Sequence, residues 1–196
     1  MKYLNTFNEK KTDEVYKKIN HICKIYNITD YTINQDGSID VNNVNEGVNL
    51  YNKGLKKLPL KFNKINGDFD CGWNKLTSLE GSPKEVNGDF NCNNNYLTSF
   101  KFAPKIIRDD FGCEWNNIKS FEYFPSYVNE VWCYGNPIYQ VWRLFRDTTK
   151  IELLNDFDIF RNEDTDEPVI FIERLNDFLL TIGKNPVKKV KEYKNI

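Results

Sequence analysis

The chain has 196 residues, 40% of them hydrophobic and 28% charged, which is the composition of a folded domain with a continuous core and not of a disordered chain. Its formal net charge of −1 excludes the general attraction to nucleic acid or anionic lipid that a basic footprint gives. The opening residues Met1 to Asn8 lack a signal-peptide h-region, and no run approaches the roughly 18 apolar residues of a membrane span, so the expected location is the cytoplasm.

Residues 1–11 carry little pattern and read as a lead-in. From Thr12, the spacing of Val15, Ile19, Ile22, Cys23 and Tyr26 predicts one apolar stripe on a helix, with Thr12 as its N-cap and Asp13 and Glu14 in its first turn. His21, the only histidine, lies on this helix and reads as a surface residue, since no second histidine can share a site with it. Tyr31 to Val41 alternates around Asp36-Gly37, a strong hairpin turn signal. Helix and hairpin, residues 1–43, are expected to form an N-terminal cap, because a terminal repeat otherwise exposes its apolar face and a sheet edge.

The next stretch writes one phrase nearly four times. Ile65-Asn-Gly-Asp-Phe-Asp-Cys-Gly-Trp-Asn-Lys-Leu76 returns from Val86 to Leu97 and from Ile107 to Ile118, and a copy one residue shorter runs from Val128 to Ile138. Cys71, Cys92, Cys113 and Cys133 set periods of 21, 21 and 20 residues, and Val48, Leu50, Leu55 and Leu58 belong to a degenerate earlier copy. A fixed period of this size predicts a stacked α/β solenoid. Ile65, Gly67, Phe69 and Cys71 alternate as a strand should, with Leu76 and Leu79 turning inward from a return segment. Asn74, Asn95, Asn116 and Asn136 recur at the strand exit, where a side-chain amide can satisfy backbone groups of the adjacent copy. Pro83, Pro104 and Pro125 mark the bends of the return segments. The repeated cysteines read as core fillers and not as zinc ligands, which use short C-x2-C loops. Although neighbours about 4.8 Å apart lie in disulfide range, parallel side chains in a reducing cytosol favour free thiols.

Phe69-x-Cys71-x-x-Asn74-x-Leu76-x-x-Leu79 resembles the leucine-rich repeat pattern, and Val128-x-x-Val131-x-Cys133-x-x-Asn136-x-Ile138 is similar to its full form. The wording of residues 76–90 resembles the bacterial and tailed-phage subtype. The resemblance covers about residues 44–138, and copies one to three depart from it with the first apolar residue one place early and Gly67 or Gly88 intervening. It implies a leucine-rich-repeat-like parallel sheet of about four to five coils on a concave face, with recognition usually by that face. It implies no single activity.

After Pro137, placed for a helix start, Ile138, Val141, Trp142 and Phe145 take helical spacing. A second helix is expected near Thr149, burying Ile151, Leu154 and Phe157. An acidic loop over 162–168 leads to a third, with Phe171, Leu175, Phe178, Leu179 and Ile182 inward and Gly183 as C-cap. Residues 139–183 thus read as a C-terminal helical cap to the 44–138 array. The 184–196 tail, with Lys184, Lys188, Lys189, Lys191 and Lys194, reads as a solvated appendage or a partner-binding segment.

If residues 69 and 71 face inward, their neighbours face out. The exposed columns then carry Asp68, Asp70, Asp89, Asn91, Asp110, Glu114 and Glu130, ending on Trp132 and Tyr134, with Trp73 and Trp115 just beyond the strands. Aromatics beside carboxylates suit a protein partner, because aromatics anchor and charge steers. A nucleic-acid platform would want the opposite charge. The aspartate column could serve a hydrolase or calcium, yet it recurs with the period, which surface composition explains without either. No metal, cofactor or catalytic set is expected, and no cysteine follows Cys133 to act as a ligase nucleophile. The expected function is therefore a non-enzymatic protein-protein interaction module. The phage-like wording extends this to an accessory protein that binds and inhibits a host defence protein in the host cytoplasm. The reading from another class is a sequestering protein for a small anionic signal or nucleotide, with phosphate contacts from the basic C-terminal region.

Overall fold

The structure is a computed structural model and describes residues 2–161 and 168–196, so all of the 162–168 acidic loop but Pro168 lies outside the described residues. Helix α1 spans Lys2–Ile25, and Thr12 lies inside it instead of capping it. The supposed lead-in contains neither Gly nor Pro, so nothing halts propagation of the helix upstream. At its far end Asn27 turns left-handed at φ 54° and the Ile28 N–H reaches back to the Cys23 carbonyl at 2.9 Å, which closes the helix. Ile19 and Cys23 are buried, Ile22 and Tyr26 half-buried, but Val15 is 44% exposed, so the apolar stripe is shorter than its spacing implies. His21 is exposed.

Strands β1 (Tyr31–Ile33) and β2 (Ile39–Val41) form the hairpin, and Asp36 accepts from the Ser38 N–H at 3.0 Å across its turn. β2 then pairs in parallel with β4 (Phe62–Ile65), which continues into β6 (Glu85–Val86) and β8 (Ile106–Ile107), with Ile65, Val86 and Ile107 in register. A second sheet runs in parallel from β3 (Val48–Asn49) through β5 (Phe69–Asp70), β7 (Phe90–Asn91) and β9 (Phe111–Gly112) to β10 (Val131–Trp132). The sequence period is its register: Val48, Phe69, Phe90, Phe111 and Val131 lie side by side.

The expected α/β solenoid, one leucine-rich-repeat-like parallel sheet of four to five coils, is not what the chain forms. Among the described residues the fold is mixed α/β, with three small sheets, two of them mostly parallel, and four helices. The single strand predicted through Ile65, Gly67, Phe69 and Cys71 breaks between β4 and β5, over residues 66–68, and its halves join different sheets. The break recurs because Asp68 Oδ1 takes the Asp89 N–H at 2.9 Å and Asp89 Oδ1 takes the Asp110 N–H at 2.9 Å. Side chains thereby hold the copies together where strand pairing lapses. Gly88 permits that contact, since a Cβ there would lie 2.1 Å from Asp68 Oδ1.

Helices α2 (Tyr139–Phe145), α3 (Ile151–Asp156, after a 3₁₀ turn at Thr148–Lys150) and α4 (Ile172–Thr181) follow. A third sheet of β11 (Phe160–Arg161), β12 (Val169–Ile170) and β13 (Lys194–Asn195) ties them to the tail. The tail is neither a solvated appendage nor a free segment. Val190 and Tyr193 are buried, and the Tyr193 hydroxyl donates to the Lys119 carbonyl at 2.8 Å. One phenylalanine series joins strands to helices: Phe69–Phe90 at 5.5 Å, Phe90–Phe111 at 5.7 Å, Phe111–Phe124 at 6.1 Å, Phe124–Phe121 at 5.7 Å, Phe121–Phe145 at 6.1 Å and Phe145–Phe178 at 5.3 Å between ring centroids.

Candidate functional site

At the exit of each second-sheet strand the backbone turns left-handed. The residues that do so are Asn52, Trp73, Asn94, Trp115 and Gly135, with φ of 52°, 53°, 50°, 52° and 72°. Asn and Gly suit this conformation, whereas a bulky side chain raises its energy by roughly 1–2 kcal/mol. Trp73 and Trp115 are nevertheless 53% and 57% exposed, so core burial does not offset that strain. Trp115 crosses Gly135, where a Cβ would meet its Cε3 at 2.6 Å, and meets Tyr134 edge-on at 5.8 Å. Trp73 lies 6.5 Å from Tyr51, a residue the strand pattern does not single out.

The predicted outward residues divide into bonded and open ones. Asp68, Asp89 and Asp110 each hold the following copy, the last through the Asn129 amide at 3.1 Å. Asp70 accepts from the Gly72 N–H at 2.8 Å and Asn91 from the Asn93 N–H at 3.1 Å, as Asn49 does from Tyr51 at 3.0 Å. These local turns set up the left-handed residue, so four of the predicted partner-binding residues, Asp68, Asp70, Asp89 and Asn91, bond backbone N–H groups, and Asp110 bonds a side-chain amide. Burial raises the Asp70 carboxyl above its ordinary range against the pull of the Gly72 N–H, and nearby Asp68 adds to the rise.

Glu114, Trp115, Glu130, Trp132 and Tyr134 gather at the last copy. Glu114 is half-buried; desolvation raises its pKa, opposed by hydrogen bonds from its own backbone and from Tyr134. Its Oε2 is buried without a partner among the described residues. Glu130, Trp132 and Tyr134 are exposed and form one wall of a cleft of about 710 Å³. The opposite wall is Tyr139, Trp142, Phe145, Arg146, Asp147 and Thr148, from α2 and the 3₁₀ turn.

β10 is the edge of its sheet, and the carbonyls of Glu130, Trp132 and Tyr134 accept from the N–H groups of Phe111, Cys113 and Trp115. The alternation of a parallel ladder therefore directs the Val131 and Cys133 N–H groups away from β9, to the free edge bordering this cleft. Burial pushes the Cys133 thiol up to about 12, with Glu114 adding and Arg146 opposing. Asp147 is held below the ordinary carboxylate range by the Thr149 hydroxyl first, and it also accepts from the Thr149 N–H at 3.0 Å.

The structure thus places Glu130, Trp132 and Tyr134 on the cleft, with Glu114 and Trp115 beside it through their contacts with Tyr134, and leaves Trp73 and Asp70 two or more strands away. The far wall escaped sequence reasoning because Trp142 and Phe145 carry helical spacing, and both are indeed buried. Arg146, left-handed at φ 47° just past α2, carried no such signal. Among the described residues no group of three or more His, Cys, Asp or Glu side chains is placed to hold a metal ion, and no helix is long and apolar enough to cross a membrane. Comparison with protein-family models, with curated proteins and with solved structures finds no match for the chain.

Proposed function

We propose that the protein is a non-enzymatic binding module for another protein. Its partner docks on the aromatic and acidic surface of Trp115, Trp132, Tyr134, Glu114 and Glu130 at the end of the second sheet. The observation that carries this reading is Trp115, a large aromatic kept exposed on a strained backbone position that Asn fills at 52 and 94. Strain without burial points to a surface duty, and tryptophan and tyrosine are the side chains that anchor protein interfaces. The carboxylates call for a partner with lysine or arginine facing them. The free edge of β10 adds a second mode of contact, because an extended segment lying along it would accept from the Val131 and Cys133 N–H groups.

The test is affinity capture from bacterial lysate with the parent, with Trp132→Ala/Tyr134→Ala, and with Trp115→Asn. The parent is expected to retain a discrete protein that both variants lose by at least about tenfold, a difference of ~1.4 kcal/mol or more. Trp115→Asn should keep its unfolding free energy within about 1 kcal/mol of the parent, since relief of strain offsets lost contact. Equal capture by all three would show that the partner binds elsewhere. A nucleotide that co-purifies in place of any protein would replace this reading with sequestration.

A further inference from the structure

The segments that carry the chain from one copy to the next, over 56–62, 77–84 and 102–105, border a cleft of about 860 Å³. That is within the usual range for a small-molecule site, roughly 300–1,000 Å³. Its charge is opposite to that of the second sheet's outward face. Five lining lysines, Lys56, Lys57, Lys61, Lys84 and Lys105, face a single lining carboxylate, Glu80. Of the five, Lys61 is paired with Asp36 at 2.6 Å, while the other four make no ion pair among the described residues. Four uncompensated ammonium groups around one concavity repel one another and raise its potential, and a polyvalent anion removes that repulsion.

Two further features narrow the ligand. Ser82 lines the cleft, and its Oγ lies beneath the surface with no hydrogen-bond partner among the described residues. An unpaired buried hydroxyl is uncommon, and rotation of the Ser82 side chain toward the cleft would let a ligand oxygen satisfy it. Phe102, also on the lining, is 50% exposed and left-handed at φ 69°, at the place where the preceding copy has Gly81 at φ 93°. It repeats here what Trp115 does at the other site: an aromatic is kept on a strained, open position where glycine would be relaxed. A planar ring stacks on such a face.

We propose that this cleft binds a nucleoside polyphosphate, with the phosphates among the Lys57, Lys84 and Lys105 amines and the Ser82 hydroxyl, and the base on Phe102. Lysines hold phosphate as point charges, so binding weakens as salt rises. A long polyanion fits less well, because the chain is acidic overall and the second sheet's outward face bears carboxylates. The inference does not rest on the protein-binding reading, whose site uses none of these residues.

Isothermal titration of the whole chain at low salt, with ATP and with inorganic tripolyphosphate, tests it. ATP is expected to bind saturably and more tightly than tripolyphosphate. Lys84→Gln/Lys105→Gln should weaken ATP by about tenfold or more, while Lys188→Gln/Lys189→Gln in the tail leaves it unchanged. Phe102→Gly should reduce ATP to the affinity of tripolyphosphate. Circular dichroism confirms that each variant is folded, and the exposed lysine pair keeps the test open should Phe102→Gly unfold the chain. Absence of saturable ATP binding, an equal loss in the tail variant, or parity of ATP with tripolyphosphate in the parent each overturns the proposal. So does tighter binding of an oligonucleotide of about ten residues than of ATP, which would make the cleft part of a nucleic-acid track.

Discussion

Asn95 shows what one side chain does for the stack. Its amide donates to the carbonyls of Cys71, Cys92 and Asn93 at 3.0, 3.1 and 3.2 Å, and its carbonyl accepts from the Leu76 N–H at 2.9 Å. Asn74 repeats the pattern one copy earlier and Asn136 two copies later, both buried. Removing such an amide strands several buried backbone groups, each worth roughly 1–3 kcal/mol. Asn95→Ala is therefore expected to lower the unfolding free energy by ~3 kcal/mol or more in urea titration. Asn117→Ala, at an exposed position, should change it by less than ~0.5 kcal/mol. The asparagine role was legible in the sequence because it recurs at a fixed place. The duties of Asp68, Asp89 and Asp110 were not, since recurrence alone does not tell a carboxylate that faces solvent from one that accepts a neighbouring copy's N–H.

Among the elements, most strands are two residues long and hold their place through register and side-chain ties. The tail illustrates how far composition can mislead at this scale. Five lysines over 184–194 suggest a solvated segment, yet Val190 and Tyr193 between them are buried, and β13 completes the third sheet. Tyr193 also lies 5.9 Å from Phe160, and burial lifts its hydroxyl well above the ordinary range. Tyr193→Ala is expected to cost about 3 kcal/mol or more by calorimetry, as large aromatic deletions in cores do. An appendage would give almost no change, so a shift near zero would refute the packed tail. The helices α2 and α4 were readable because their apolar spacing matched the residues that turned out buried: Val141, Trp142, Phe145, Leu175, Phe178 and Leu179.

Across the whole molecule, core and charge are laid out separately. The buried cluster is continuous from Ile19 on α1 to Tyr193 in the tail, and all five cysteines are buried and free. Desolvation raises the thiol pKa of every one of them, which keeps them protonated and poorly nucleophilic. A disulfide-exchange reagent is expected to label none of Cys71, Cys92, Cys113 and Cys133 in the native protein. It should label all four together across the denaturant midpoint, as one cooperative core requires. Labelling in stages, copy by copy, would show that the copies unfold independently. Charge follows the opposite rule and segregates: carboxylates gather on the second sheet's outward side, and lysines line the cleft along the connecting segments.

The sequence by itself determined the register. A period of 21 residues places Phe69 beside Phe90 and Phe90 beside Phe111, because identical side chains at equal spacing bury best against one another. It also determined most of the inward set, Val15 being an exception at 44% exposure, since alternation and helical spacing are local properties of the chain. Only the tertiary structure decided that each predicted strand breaks in two and that its halves join different sheets, because Asp68 bonds to a residue 21 positions away and the break exists only once that neighbour is in place. It also decided the sign of φ at Trp73, Trp115 and Phe102, and the facing of β10 by Arg146. Those features depend on groups distant in sequence meeting in space, which no spacing pattern encodes.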